Sequence, residues 1–182
     1  MDVLAEVGFA RASLARIAER AGISKGVISY HFDGKEDLMV RLVEQVYGEI
    51  GEAVGAEIAR EETPRAMLRR HPVAVAAHMR DRRQHIAALG EVFANLRDAE
   101  GKPRFGHHTS DEMYRVLEAL YRAGQKSGDF RDFDVRVMAV TQQAAIDAMF
   151  GYWAAFPEHD LDAHAEQLAD LFDHATRATE ET

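Results

Sequence analysis

Apolar residues along this chain recur at three- and four-residue intervals, and no stretch of useful length alternates as a half-buried strand would. The pattern predicts helix after helix. Residues 2–7 read as the end of a first helix stopped at Gly8. Residues 13–21 form a short helix capped by Ser13 and closed by Gly22, and residues 24–30 a second one, again with serine at its cap. After Phe32, Asp33 with Glu36 resembles a capping box. A long helix is expected over about residues 35–62, with Leu38, Leu42, Val46, Ile50, Val54 and Ile58 as its stripe, flanked by Met39, Val43 and Tyr47. Thr63-Pro64 opens the next helix, while Pro72, and then Asp81 with Gln84, mark a break and a new start. Residues 100–108 are the clearest loop, after which Thr109 with Glu112 caps a helix ending near Gly128. Two helices follow. Residues 134–156 are rich in small side chains (Ala139, Ala144, Ala145, Ala148, Gly151), and Leu161, Ala165, Leu168, Phe172 and Ala175 form the seam of a closely packed pair. The expected fold is all-α, with about nine helices.

Composition narrows the class. Of 182 residues, 47% are hydrophobic and 29% charged, which fits a soluble globular protein and argues against disorder. No apolar run approaches the roughly 18 residues of a membrane span. Met1-Asp2-Val3-Leu4-Ala5-Glu6 carries acid where a signal peptide carries base. Cysteine is absent, which removes disulfides, thiolate metal sites and a cysteine nucleophile. A cytoplasmic protein is expected, with no membrane partner. The net charge of −9 opposes nucleic-acid binding until its distribution is considered. From Arg11 to Lys35, five basic residues (Arg11, Arg16, Arg20, Lys25, Lys35) face only Glu19 and Asp33. A locally basic unit on an acidic body can bind DNA.

Residues 13–32 carry the chemistry. Two short helices meet at Gly22, which can take the left-handed conformation of a tight turn. Leu14, Ile17, Ala18, Ile23, Val27 and Ile28 are expected to lock them together, leaving Lys25, Gly26, Ser29 and Tyr30 free to enter a major groove. Lys35 points the same way. A lysine in a helix's first turn opposes the macrodipole by about 0.3–1 kcal/mol, and a bound phosphate would reverse that sign.

The run from Gly8 to Leu38, above all Ala21-Gly22-Ile23-Ser24-Lys25-Gly26, Tyr30-His31-Phe32 and Lys35-Glu36-Asp37-Leu38, resembles the N-terminal domain of TetR-family transcriptional regulators. That resemblance implies a three-helix helix-turn-helix DNA-binding domain over residues 1–46 and an effector-binding and dimerisation domain over 47–182. It places Ser13 on a phosphate and Lys25, Gly26 and Val27 at base edges. Tyr30 and His31 fall on the DNA backbone, with Ser24 and Ser29 on the same surface. The implied function is a homodimeric repressor, released from a near-palindromic double-stranded operator by a small-molecule effector. The last two helices would pair across a two-fold axis, with Ala144, Ala145, Ala148, Leu161, Leu168 and Phe172 at the interface. The competing reading is a helical ligand-binding or adaptor protein that has lost operator binding.

Other constellations add little. His71, His78 and His85 recur every seventh residue, but Pro72 and Asp81 interrupt the helix that would align them, and no HExxH pair exists. No metal or cofactor site is expected, and His107-His108 reads as a solvated turn. Acids and histidines fall into no catalytic frame, so no enzyme is expected. For the effector, one of Gln142 and Gln143 should face inward, where an unpaired amide is costly. His78, Phe93, Tyr114 and Trp153 complete the expected lining.

Overall fold

The computed structural model describes residues 1–178, and the described residues form nine α-helices joined by turns and loops. These are α1 (Asp2–Arg11), α2 (Leu14–Ala21), α3 (Lys25–His31), α4 (Lys35–Ile58), α5 (Pro64–Met79), α6 (Arg83–Asn95), α7 (Asp111–Ser127), α8 (Val135–Ala155) and α9 (Leu161–Thr176). The all-α expectation holds. Among the described residues, no helix is long and apolar enough to cross a membrane.

The caps explain most boundaries. Ser13 and Ser24 each accept a backbone N–H three residues on, from Arg16 and Val27, at 3.3 Å. Thr63, Asp134 and Asp160 do the same for α5, α8 and α9. Other ends differ from expectation. The first helix runs past Gly8, which forms a kink at φ 74°, ψ 167°. The box at α4 uses Asp37, whose Oδ2 accepts from the Asp33 N–H at 3.1 Å, in place of Glu36. Ser110 and Arg82, in place of Thr109 and Asp81, occupy the cap positions of α7 and α6, and neither makes a side-chain cap bond. Pro72 lies inside a continuous α5 and is fully buried. An interior proline costs about 3 kcal/mol, which α5 recovers by burying Leu68, Ala76 and Met79 against α7 and α9.

The described residues divide into two compact units, one of residues 1–49 with 82–106 and the other of 50–81 with 107–178. In the first, α1 packs on α6 and α2, and Leu4, Met39, Val43, Ala88 and Val92 form the core. The unit is thus wider than the segment 1–46 expected to bind DNA, because α6 completes the cover of α1. In the second, α5 packs on α9 and α7, and α8 on α7 and α9. Bidentate bonds from Arg65 to Asp173 (2.5 and 2.8 Å) clasp α5 to α9, and the Arg65 guanidinium holds the Asp173 carboxyl below its usual range. The expected second domain ends at residue 182, and its residues 179–182 lie outside the described part.

Candidate nucleic-acid interface

Gly22 makes the helix-turn-helix possible. At φ 68°, ψ 24° it turns the chain in the left-handed region, and its N–H and that of Ile23 satisfy the Glu19 and Ala18 carbonyls at 3.1 and 3.0 Å. Small Ala18 and Ile28 are buried where α2 meets α3, while Leu14 and Ile17 are half-buried. Ile23, in the turn before α3, and Val27, on α3, were both expected in that lock and are exposed instead (44% each).

The exposed face of α3 presents Lys25, Gly26, Val27, Ser29, Tyr30 and His31. Tyr30 is 85% exposed and edge-on to the His31 ring at 5.0 Å, an aromatic that no core packing accounts for. Ser13 and Ser24 are exposed, and since their oxygens accept cap bonds, their O–H groups remain free to donate outward.

The basic residues sort themselves by partner. Arg20 donates to Glu6 at 2.5 Å and lies 3.9 Å from Asp2, and Arg11 Nε donates to the Val7 carbonyl. Lys35 is also engaged within the chain. Its Nζ donates to the Phe9 carbonyl oxygen and lies 4.0 Å from the Phe9 ring centroid, and burial holds its pKa down. With Lys35 thus engaged within the chain, no bound phosphate is needed to account for its place at the start of α4. The ammonium that opposes the dipole of α4 is placed at the negative end of α1. The side chains of Arg16 and Lys25 have no hydrogen-bond or ion-pair partner among the described residues, and both are exposed. Arg16, which the sequence offers only as one of five basic residues, stands in the first turn of the capped α2.

The residues expected to line an effector pocket are divided between the two units. Phe93 belongs to the first unit, between Tyr47 (6.2 Å) and Phe105 (5.4 Å). The others lie in the second. Both Gln142 and Gln143 are buried. Gln142 bonds Tyr121 and His71, and Gln143 donates to Asp147 at 2.8 Å. Tyr114 is buried with its hydroxyl 2.9 Å from His107 Nδ1, Trp153 packs edge-on to Phe150, and His78 is half-buried. His71 and His78 do share one helix, α5, while His85 lies on α6.

Of the residues expected at a dimer interface, Ala144 and Ala148 are exposed and Ala145 is half-buried. Leu161, Leu168 and Phe172 are buried within the chain itself, which corrects their placement on its outer face. The outward apolar positions of α8 and α9 are Val137, Tyr152 and Leu171, the last 58% exposed.

Residues 1–42 match the family model described as bacterial regulatory proteins, tetR family. The transcriptional regulator BetI 1 of Chromohalobacter salexigens is 40% identical over 70 residues, covering 38% of this chain and 35% of that protein. BetI of Yersinia pestis is 41% identical over 71 residues, covering 38% and 36%. The matched part thus spans about a third of these curated relatives. Two solved structures share the fold over nearly the whole chain. The fatty acid degradation regulator FadR of Bacillus halodurans has TM-score 0.84 at 19% identity, covering 96% of this chain and 94% of that one. FadR of Bacillus subtilis in complex with stearoyl-CoA has TM-score 0.81 at 21% identity, covering 93% and 91%.

Proposed function

We propose that this chain, whose residues 1–42 match the model of the TetR family of bacterial regulatory proteins, is a repressor of that family that binds a near-palindromic operator as a dimer and leaves it when the second unit takes up a small molecule. The observation that carries the reading is the outer face of α3, where an unpaired Lys25 and an 85% exposed Tyr30 stand beside free serine hydroxyls. Such a face has the right groups for a major groove: a cation and hydroxyls for base edges, and aromatic and hydroxyl groups for the backbone. Arg16 and Ser13, at the start of α2, supply phosphate contacts beside it.

Dimerisation would bring two such faces together about 34–36 Å apart, matching successive major grooves. The outward face of α8 and α9 (Val137, Ala144, Ala148, Tyr152, Leu171) is the surface for it. The effector role of the second unit is supported by the stearoyl-CoA complex of the Bacillus subtilis regulator, whose fold it shares.

Selection from random duplex DNA followed by gel shift tests the reading. An inverted-repeat site should emerge, and Lys25→Ala should cost about 1–3 kcal/mol while relaxing the preference at one position per half-site. Tyr30→Ala should weaken binding to all sites. Failure to select any site, with the dimer intact, would instead favour a ligand-binding protein without operator activity.

A further inference from the structure

Gln142 and Tyr121 are both fully buried, and the Tyr121 hydroxyl has no hydrogen-bond partner but Gln142 among the described residues. A sealed hydroxyl hydrogen needs an acceptor, so the atom it meets, at 2.5 Å, is the amide oxygen Oε1. The amide nitrogen is thereby turned to His71, 3.2 Å from its Nδ1. An amide N–H can only donate, so Nδ1 is the unprotonated nitrogen of the ring and the single proton sits on Nε2. Reversing the amide would leave the Tyr121 hydrogen buried without an acceptor. A second proton on His71 would set N–H against N–H, and burial already pushes this imidazole down to about 4.

The chain of bonds ends in an open donor. His71 Nε2 has no partner among the described residues and is not among the sealed unpaired atoms, and His71 keeps accessible surface where Gln142 and Tyr121 have none. Leu68 and Val75 flank His71 on the same face of α5, and Ile146 and Met149 follow Gln142 on α8, all buried.

We propose that His71 Nε2–H anchors the ligand of the second unit, and that this ligand is a mainly apolar molecule presenting a hydrogen-bond-accepting oxygen of the carbonyl type. Tyr121 and Gln142 are positioning residues that hold the proton on the ligand side of the ring. The inference rests on the effector reading above for its biological role, though not for its chemistry. An ammonium ligand would face donor with donor and is disfavoured.

The test uses the full chain, 15N-labelled at histidine, with two probes of like shape: cyclohexanone, an acceptor, and cyclohexylamine, a cation at neutral pH. NMR of His71 should show the Nε2–H tautomer and no titration near its ordinary range. Cyclohexanone should shift the Nε2 signal and bind at least about fivefold more tightly than the amine, the worth of one hydrogen bond. His71→Phe should erase that preference. Tyr121→Phe, which frees the amide to turn, should raise the Nδ1–H population and weaken the ketone. An Nδ1–H or charged His71 in the wild type, equal binding of the two probes, or no ketone-induced shift at His71 overturns the proposal, and none of these measurements needs a variant to fold. If the ketone binds at His71 as described but operator affinity is unchanged, the ligand site stands and the effector reading fails.

Discussion

Lys35 occupies a position that its own helix penalises, and Phe9 is the reason it is tolerated. The kink at Gly8 releases the last turn of α1, where the Phe9 N–H is taken by Glu91 Oε2 at 2.7 Å and the Phe9 carbonyl by the Lys35 ammonium. One residue is thus held from both sides by charged groups from α6 and α4. Charge-assisted bonds of this kind contribute about 1.5–3 kcal/mol, against a dipole cost of about 0.3–1 kcal/mol. The bond wins. Lys35→Ala should therefore destabilise the protein by about 1–2 kcal/mol, seen as a lower denaturation midpoint with an unchanged slope. A midpoint equal to that of wild type would return Lys35 to the role of phosphate anchor. Gln142 makes a parallel point: a buried amide suggested a ligand contact, yet both of its ends are used within the chain.

At the scale of the element, α9 shows how one helix carries two apolar faces. Leu161, Ala165, Leu168 and Phe172 lie inward, while Leu171 stands 58% exposed on the other side. Inward burial is reinforced by Asp173, itself nearly sealed and bonded to Arg65, with Arg69 at 3.6 Å. The two faces predict opposite phenotypes for the same chemical change. Leu168→Glu buries a carboxylate in the core and should cost several kcal/mol, on the scale of an unpaired buried charge. Leu171→Glu should leave the melting temperature of the monomer unit nearly unchanged and convert the dimer to monomer in light scattering. A Leu171→Glu protein that stays dimeric would remove α9 from the proposed interface.

For the whole molecule, an overall charge of −9 and DNA binding are compatible because the cations are sorted, not because they are numerous. Arg11, Arg20 and Lys35 hold the first unit together, leaving Arg16 and Lys25 unpaired on the surface beside α3. One half-site would meet only these two cations beside α3, and the proposed dimer would add the contacts of both heads. Once an operator is known, inserting about five base pairs between its half-sites turns one half-site by half a helical turn and should abolish tight binding. Insertion of about ten restores the facing and should recover part of it. Equal affinity for all three spacings would mean that each head binds alone.

The sequence by itself determined what depends on near neighbours in the chain. Ser13, Gly22, Ser24 and Thr63 mark helix ends because a cap or a left-handed turn needs only residues within about one turn. The α2–α3 motif was legible for the same reason, as was the outward set Lys25, Ser29 and Tyr30. Tertiary structure alone decided the rest. Helical period reports that a face is apolar but not what covers it, so the seam of α9 could be read as a dimer contact when α5 and α8 already bury it. Pro72 could be read as a break because its local cost is real, and only the packing of α5 outweighs it. The pairings Lys35–Phe9, Glu91–Phe9 and Gln142–His71 join residues far apart in the chain, and they became visible only when the fold brought them within hydrogen-bond distance.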